Sequence, residues 1–277
     1  MTGFVNVFKA EGVSSTYCVN RMKRLFSTPC GHMGTLDPLA SGVLPIGVGN
    51  ATRLFDYFLG KEKTYIARFR FGATTATLDR ESEVIEGGMI PTDVEIMRVL
   101  PELTGELLQI PPAYSAKSVN GVRSYELARK GKAVELAPKR VEVKSFTLKE
   151  QCAYGEYEFE IVCGGGTYIR SLARDLGELL GTKAYMTMLR REKSGVFTAE
   201  TAVSLEELTE NNVREHLIPT DSVLPFPEMR SDDIRLLNGM SLPSDMAEGV
   251  YKFYFEESFY GLARVAAGQV KLEKKLC

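Results

Sequence analysis

The chain opens on an apolar run, Phe4-Val5-Asn6-Val7-Phe8, whose residue types predict a strand. A turn at Ala10-Glu11-Gly12 follows, and Ser14-Ser15-Thr16 offers an N-cap for a helix over about 17–26. Residues 31–50 are punctuated by Gly and Pro around VLPIGV (43–48), which suits a buried strand. KTYIARFRFG (63–72) alternates apolar and polar positions and predicts a half-buried strand. Over about 92–103, apolar Val94, Met97, Val99, Leu100 and Leu103 predict a helix. Residues 105–140 read as an excursion: Pro111-Pro112 and Asn120-Gly121 break it, a short helix (SYELARKG, 124–131) sits inside, and Pro138 closes it. Strands at about 141–149 and 156–163 lead into Gly164-Gly165-Gly166. Leu172, Ala173, Leu176, Leu179 and Leu180 then mark one side of a helix over 167–180. Pro219, Pro225 and Pro227 predict a boundary near 219–230, before a small, mostly β module. Strands and helices mixed without regular alternation predict an α+β fold.

Composition narrows the chemistry. The 277 residues are 44% apolar and 25% charged, ordinary for a globular protein. No apolar stretch approaches the roughly 18–20 residues of a membrane helix, and MTGFVNVFKAEG lacks the features of a signal peptide. A cytoplasmic protein with no membrane partner is expected. Five cysteines and two histidines, none at zinc-knuckle or redox spacing, predict no metal site. Cys30 precedes His32 by two residues, but a Cys–His pair finds no other support. Chemistry must then rest on carboxylates, Tyr, Lys, Arg or a lone Cys.

The net charge of −2 hides an asymmetry. Residues 200–277 carry 14 acidic against 8 basic residues, which leaves 22 against 26 in the first 199. Between 117 and 144 the basic side chains Lys117, Arg123, Arg129, Lys130, Lys132, Lys139, Arg140 and Lys144 face only Glu126, Glu135 and Glu142. A polyanion is expected to land there; a merely solvated basic face is the plainer alternative.

One run concentrates candidate chemistry: GHMGTLDPLASG (31–42). Gly31, Gly34 and Gly42 permit turns and close approach of a ligand. Pro38 pushes Asp37 out of the α region, so the backbone stiffens around its carboxylate. Taken alone, Asp37 is either a turn cap or a catalytic acid. Tyr65 alone would be a strand core residue, and Arg170 a surface charge near a helix end.

The whole string resembles the catalytic motif of the bacterial tRNA pseudouridine 55 synthases, a TruB-type family. KAEGVSS (9–15) is similar to that family's N-terminal motif, and KTYIARFRFG to its strand with the active-site tyrosine. QIPPAYSAKSVNGVRSYELARKG (109–131) is similar to its thumb-like insertion. GGGTYIRSLARDLGELLG (164–181) and MLRREKSGVF (188–197) complete the pattern in the right order. The resemblance implies a large mixed, mainly antiparallel sheet flanked by helices. It implies a catalytic domain over 1–225 with the insertion at about 105–140, and a short PUA-like RNA-binding domain over 228–277. Ala10 departs from the usual Pro after the lysine, and Ala76 from a frequent Asp.

Residue by residue, the resemblance implies that Asp37 is the catalytic aspartate. Tyr65 would stack on the target base and help remove a proton, and Arg170 would pair with the aspartate. Leu189 would wall the base pocket. His32 would help hold the RNA loop after the base leaves it, and Lys9 would support the aspartate's motif. Tyr168, with Lys117, Arg123, Arg129 and Lys130 of the insertion, would contact RNA. An arginine beside a carboxylate in a dry pocket favours its ionised form. The implied reaction is conversion of uridine 55 to pseudouridine in the T loop of tRNA, with no cofactor or metal. A carboxylate can serve it as a nucleophile or as a base at C2′. The implied partner is tRNA through its T stem-loop; no protein partner is implied, and a monomer is expected. The alternative is a non-catalytic RNA-binding or tRNA-folding protein on the same fold. A carboxylate-based hydrolase would want a second acid, and no paired motif is visible.

Overall fold

The computed structural model describes residues 1–114, 118–119, 122–123 and 136–277. Strand β1 (Gly3–Lys9) leads into helix α1 (Ser15–Phe26), whose N-cap Ser14 side chain accepts from the Tyr17 N–H. Next come β2 (Cys30–His32), β3 (Ser41–Val48), the short helix α2 (Phe55–Leu59), β4 (Lys63–Phe71), β5 (Ala73–Thr75) and β6 (Val84–Glu86). Helix α3 (Asp93–Val99) starts on a capping box between Thr92 and Glu95. It tightens into a 3-10 turn, Leu100–Leu103, where Pro101 sits in the first turn. Strands β7 (Gly105–Gln109), β8 (Ser118–Val119), β9 (Val122–Arg123), β10 (Lys139–Ala153) and β11 (Glu156–Cys163) follow. Helix α4 (Ile169–Leu179) then leads to β12 (Ala184–Ser194), β13 (Phe197–Thr198) and β14 (Val203–Ser204).

These strands build one ten-stranded sheet in the order β14-β1-β3-β12-β4-β11-β10-β7, with β2 on β3 and β13 on β12. β1–β14 and β3–β12 run parallel and the other pairs antiparallel, so the sheet is mixed and mainly antiparallel as expected. The alternation in β4 is strict: Lys63, Tyr65, Ala67, Phe69 and Phe71 are buried and the residues between them half-buried. α1 and α4 cover one face, closing a core that includes Met22, Tyr65, Phe69, Phe159, Leu172 and Leu176.

Two boundaries shift from the sequence reading. Val94 and Met97 are 67% and 51% exposed; Ile96 and Val99 turn inward instead. The expected excursion also begins and ends inside the sheet. β7 pairs with β10 from Lys139↔Gln109 to Val143↔Gly105, so the insertion proper leaves the sheet only after Gln109. The expected helix at 124–131 lies outside the described residues, as do Lys117, Arg129 and Lys130; Arg123 is described only by its backbone, paired with Ser118.

Beyond Pro227, β15 (Glu228–Arg230), the single helical turn α5 (Ile234–Leu237), β16 (Leu242–Pro243), β17 (Gly249–Phe255), β18 (Ser258–Ala266) and β19 (Gln269–Lys275) form a second, five-stranded sheet. It is not detached. Leu262 and Leu276 pack with Phe4, Leu54, Phe58 and Phe197 in one apolar cluster. Arg53 donates to the Lys275 carbonyl at 2.8 Å and Tyr57 to the Glu273 carboxylate at 2.9 Å. Among the described residues no helix is long and apolar enough to cross a membrane.

Candidate active site

Asp37 sits in the loop between β2 and β3, and three neighbours hold that loop by its backbone. Lys9, fully buried at the end of β1, donates through Nζ to the carbonyls of Ala10 (2.9 Å), Val13 (2.7 Å) and Pro38 (3.2 Å). Burial pushes this amine below its ordinary range. The departure at Ala10 is harmless to this cage, because what Lys9 uses there is a backbone carbonyl. Ser15 Oγ accepts from the Leu36 N–H at 2.9 Å and donates to the Leu36 carbonyl at 2.8 Å. The Asp37 carbonyl closes a turn with the Ala40 N–H at 3.0 Å. Its carboxylate pairs with a guanidinium.

That guanidinium belongs to Arg170, in the first turn of α4. Its Nη2 lies 2.9 Å from Asp37 Oδ2 and its Nη1 3.2 Å from Asp79 Oδ2. It also donates to the carbonyls of Thr77 and Tyr114, each at 3.1 Å. One arginine therefore joins the Asp37 loop, the turn after β5 and the first residues of the insertion. The two carboxylates differ in setting: the Asp79 side chain is 2% exposed and that of Asp37 36%. Asp79 is further held by the Thr77 hydroxyl at 2.6 Å and the Glu81 N–H at 3.0 Å. Leu78 just before it has φ +60°, an uncommon conformation for a bulky side chain. The Met186 N–H bonds the Leu78 carbonyl at 3.0 Å and holds it there.

Beside the pair lies the face of β4 and β12. Tyr65 stands opposite Arg191, and Ala67 opposite Leu189. Tyr65 and Leu189 are both buried in the core that includes Leu36, Leu39 and Ala40 of the Asp37 loop. Burial pushes the Tyr65 phenol above its ordinary value of 10, with Arg191 pulling the other way and Asp37 adding a smaller upward push. Gly42 shows why this crowding needs glycine: at φ +105° an added Cβ would lie 2.2 Å from the Arg191 carbonyl. Gly165 has the same reason, since a Cβ there would meet the Leu59 carbonyl at 1.7 Å; its turn serves close backbone approach.

The remaining candidates spread around this centre. His32 lines a cleft of about 370 Å³ with Thr16, Asn20, Lys23, Thr52 and Phe55, whose lining does not include Asp37. Its Nδ1 is buried with no hydrogen-bond partner among the described residues, and burial with the charge of Arg191 holds its imidazole below the ordinary 6.5. Tyr168 precedes α4 and is tied to the end of β7: its N–H donates to Gln109 Oε1 at 2.8 Å, and Gln109 Nε2 donates to its carbonyl at 3.1 Å. Cys30 is buried and its thiol is pushed up to about 11, which leaves it unreactive. Asp79 and Arg191 are the residues that sequence reasoning passed over. Asp79 reads as a turn-capping Asp in TTATLD. Arg191 offered one faint signal: in Arg190-Arg191 on a strand, one of the two must face inward.

Comparison with known proteins shows the family of the chain. Residues 23–169 match the family described as TruB family pseudouridylate synthase (N terminal domain). Residues 170–225 match the one described as tRNA pseudouridylate synthase B C-terminal domain. The chain is 39% identical over 288 residues to tRNA pseudouridine synthase B of Aquifex aeolicus (strain VF5), covering 100% of both chains. It is 43% identical over 210 residues to tRNA pseudouridine synthase B of Bartonella quintana (strain Toulouse), covering 75% of this chain and 78% of the relative. A chain in the crystal structure of a Cbf5-Nop10-Gar1 complex has a TM-score of 0.74 at 24% identity, over 99% of this chain and 85% of that one, and so shares the fold.

Burial makes the two carboxylates unequal in stability. Asp79→Ala leaves a buried guanidinium short of a counter-ion and is expected to cost about 3 kcal/mol. Asp37→Ala removes a partly solvated partner and is expected to cost at most about 1 kcal/mol. Urea unfolding of both variants checks this; equal losses would make Asp37 a structural counter-ion. With only two histidines in the chain, NMR titration can follow His32 alone in a His216→Gln background, and its midpoint is expected below 6.5. The unfolded chain then takes up the proton first on acidification. Stability falls as pH drops below about 6.5 toward the folded midpoint.

Proposed function

Because the chain belongs to the TruB family of pseudouridylate synthases, we propose that it isomerises uridine to pseudouridine at position 55 in the T loop of tRNA, with Asp37 as the catalytic carboxylate. The chain is a tRNA pseudouridine synthase, an isomerase. The ion pair is what carries the assignment of Asp37: a carboxylate 36% exposed, held 2.9 Å from a buried arginine, in the motif that resembles the family's catalytic run.

The reaction breaks the bond from ribose C1′ to uracil N1 and joins C1′ to C5 of the same base. A proton leaves C5 and one is taken up at N1, so no atom or electron is gained or lost overall. A carboxylate, a proton-relaying hydroxyl and a dry pocket meet those demands without a cofactor or metal. In this reading Asp37 works at the ribose–uracil junction and Arg170 aims it. Tyr65 offers a face for base stacking, worth about 1–3 kcal/mol in nucleic-acid sites. Its hydroxyl helps remove the C5 proton in the last step. Leu189 walls the pocket, and Lys9 keeps the loop in place.

The uridine must first leave the folded RNA, at a cost of a few kcal/mol. His32, neutral at pH 7, is suited to stand in the vacated stack without carrying a desolvated charge. Phosphate contacts from Lys117, Arg123, Arg129 and Lys130 offset the rest. Tyr168 sits where α4 meets the root of the insertion and completes the RNA-facing set. Residues 1–225 form the catalytic domain in this reading, with its thumb-like insertion at about 105–140. Residues 228–277 are a short PUA-like module, 8 acidic against 7 basic, that contacts RNA weakly and braces the catalytic sheet.

Incubating tRNA transcript with the protein and no added metal or cofactor is expected to yield pseudouridine, and Asp37→Asn is expected to abolish it while leaving tRNA affinity within about threefold. Pseudouridine at the wild-type rate from Asp37→Asn would overturn the assignment. Replacing Arg123 and Arg129 together with Ala is expected to weaken tRNA binding and lower the slope of log K against log salt by up to about 2. An unchanged slope means that these side chains point away from RNA.

A further inference from the structure

Arg191 is a charge in an unusual place. It is 1% exposed, among the largest fully buried side chains, and among the described residues no carboxylate lies at ion-pair distance from it. An uncompensated interior charge is costly, so an unpaired one is expected to be caged by dipoles. Carbonyls form that cage here. Nε donates to Val43 at 2.8 Å, Nη2 to Gly34 at 3.1 Å and Nη1 to Thr35 at 3.3 Å. Gly34 and Thr35 precede Asp37 and Val43 follows it, so the guanidinium closes the two stems of the catalytic loop like a clasp. Its backbone is meanwhile fixed beside Tyr65 in the β4–β12 ladder, and its charge reaches the Tyr65 hydroxyl.

We propose that Arg191 is a positioning residue for the isomerisation, setting the separation between the Asp37 carboxylate and the Tyr65 hydroxyl by holding both stems of the Asp37 loop against the strand that carries Tyr65. The two groups lie on different elements, a loop and a strand, and each must meet the same nucleotide. Arg170 aims the Asp37 side chain but bonds nothing on β4. Lys9 and Ser15 fix the loop to the N-terminal strand and helix, away from Tyr65. Arg191 alone among these contacts spans the gap. Lysine could keep the charge but has one nitrogen, whereas Arg191 reaches Val43, Thr35 and Gly34 from three separate nitrogens in a planar fork. The inference rests on the pseudouridine synthase reading of the site.

The test is a double-mutant cycle on pseudouridine formation with tRNA transcript. Arg191→Lys is expected to lower kcat on the order of 10–100-fold with KM within about threefold, as expected for misplacement rather than lost binding. In a Tyr65→Phe background the same substitution is expected to cost under about threefold, because the partner it positions is already impaired. Equal losses in both backgrounds, or a loss in KM alone, would overturn the proposal. A second measurement needs no change at Arg191: in the otherwise wild-type protein, the Arg191 Nε–H NMR signal is expected to exchange slowly and to shift in Tyr65→Phe. An unmoved signal also overturns it. If wild-type protein forms no pseudouridine, the functional reading fails instead, and the NMR arm still reports the Arg191–Tyr65 contact.

Discussion

A guanidinium cannot be taken out of water without acceptors, and Arg170 is the point on which this site depends. Its side chain is 8% exposed, and it satisfies itself with two carboxylates and two carbonyls drawn from three separate stretches of chain. Asp79 is the interior half of that arrangement, locked by Thr77 and Glu81. It pairs with the arginine from the interior, while Asp37 pairs with it from the partly solvated side. A carboxylate held by a strong partner yet still open to solvent is what a reaction on a large, charged substrate requires. The pair also explains why α4 begins where it does, with the root of the insertion bonded to its first turns through Arg170, Ser171 and Arg174.

Three buried cations surround one short loop and are compensated in different ways. Arg170 has carboxylates, Lys9 has three carbonyls, and Arg191 has three carbonyls from the loop's two stems. Arg170 is balanced by its carboxylates, so the surplus positive charge around the loop is that of Lys9 and Arg191. Its effects reach outward: Arg191 lowers the proton affinity of His32 and adds to the burial that brings Lys63 down to about 8. A surplus of interior positive charge suits a site that receives a polyanion.

The C-terminal sheet shows that a change in composition need not mean a loose appendage. Residues 228–277 are acidic on balance, unlike the first 199, yet Leu262 and Leu276 share an apolar cluster with Phe4 and Phe58 of the large sheet. Tyr57, Glu273 and Arg264 continue the seam with hydrogen bonds. The module packs against the side of the sheet that carries β1 and α2.

Local information was enough for much of this. Strict alternation in β4, the Ser14 cap of α1 and the Gly–Pro punctuation around VLPIGV are short-range signals, and they located β1, β3, β4, β10 and β11, the first helix and the α+β class, but not the central strand β12. The motif run around Asp37, with Tyr65 and Arg170, was legible because family resemblance spans those residues in order. Val94 and Met97 were misread because a helix of two turns has too few positions to define its buried face; the sheet it packs on decides. The strand pairing of 105–109 with 139–143 was invisible for a related reason, since β register depends on a partner that periodicity does not name. Asp79 and Arg191 mark the real limit. Each is an ordinary turn or strand residue by its neighbours, and each matters only through groups far along the chain. Local chemistry could name the carboxylate, but only the folded sheet could bring buried Asp79 and Arg191 to it, because the charge balance of an interior site is set by what packs together and not by what is adjacent in sequence.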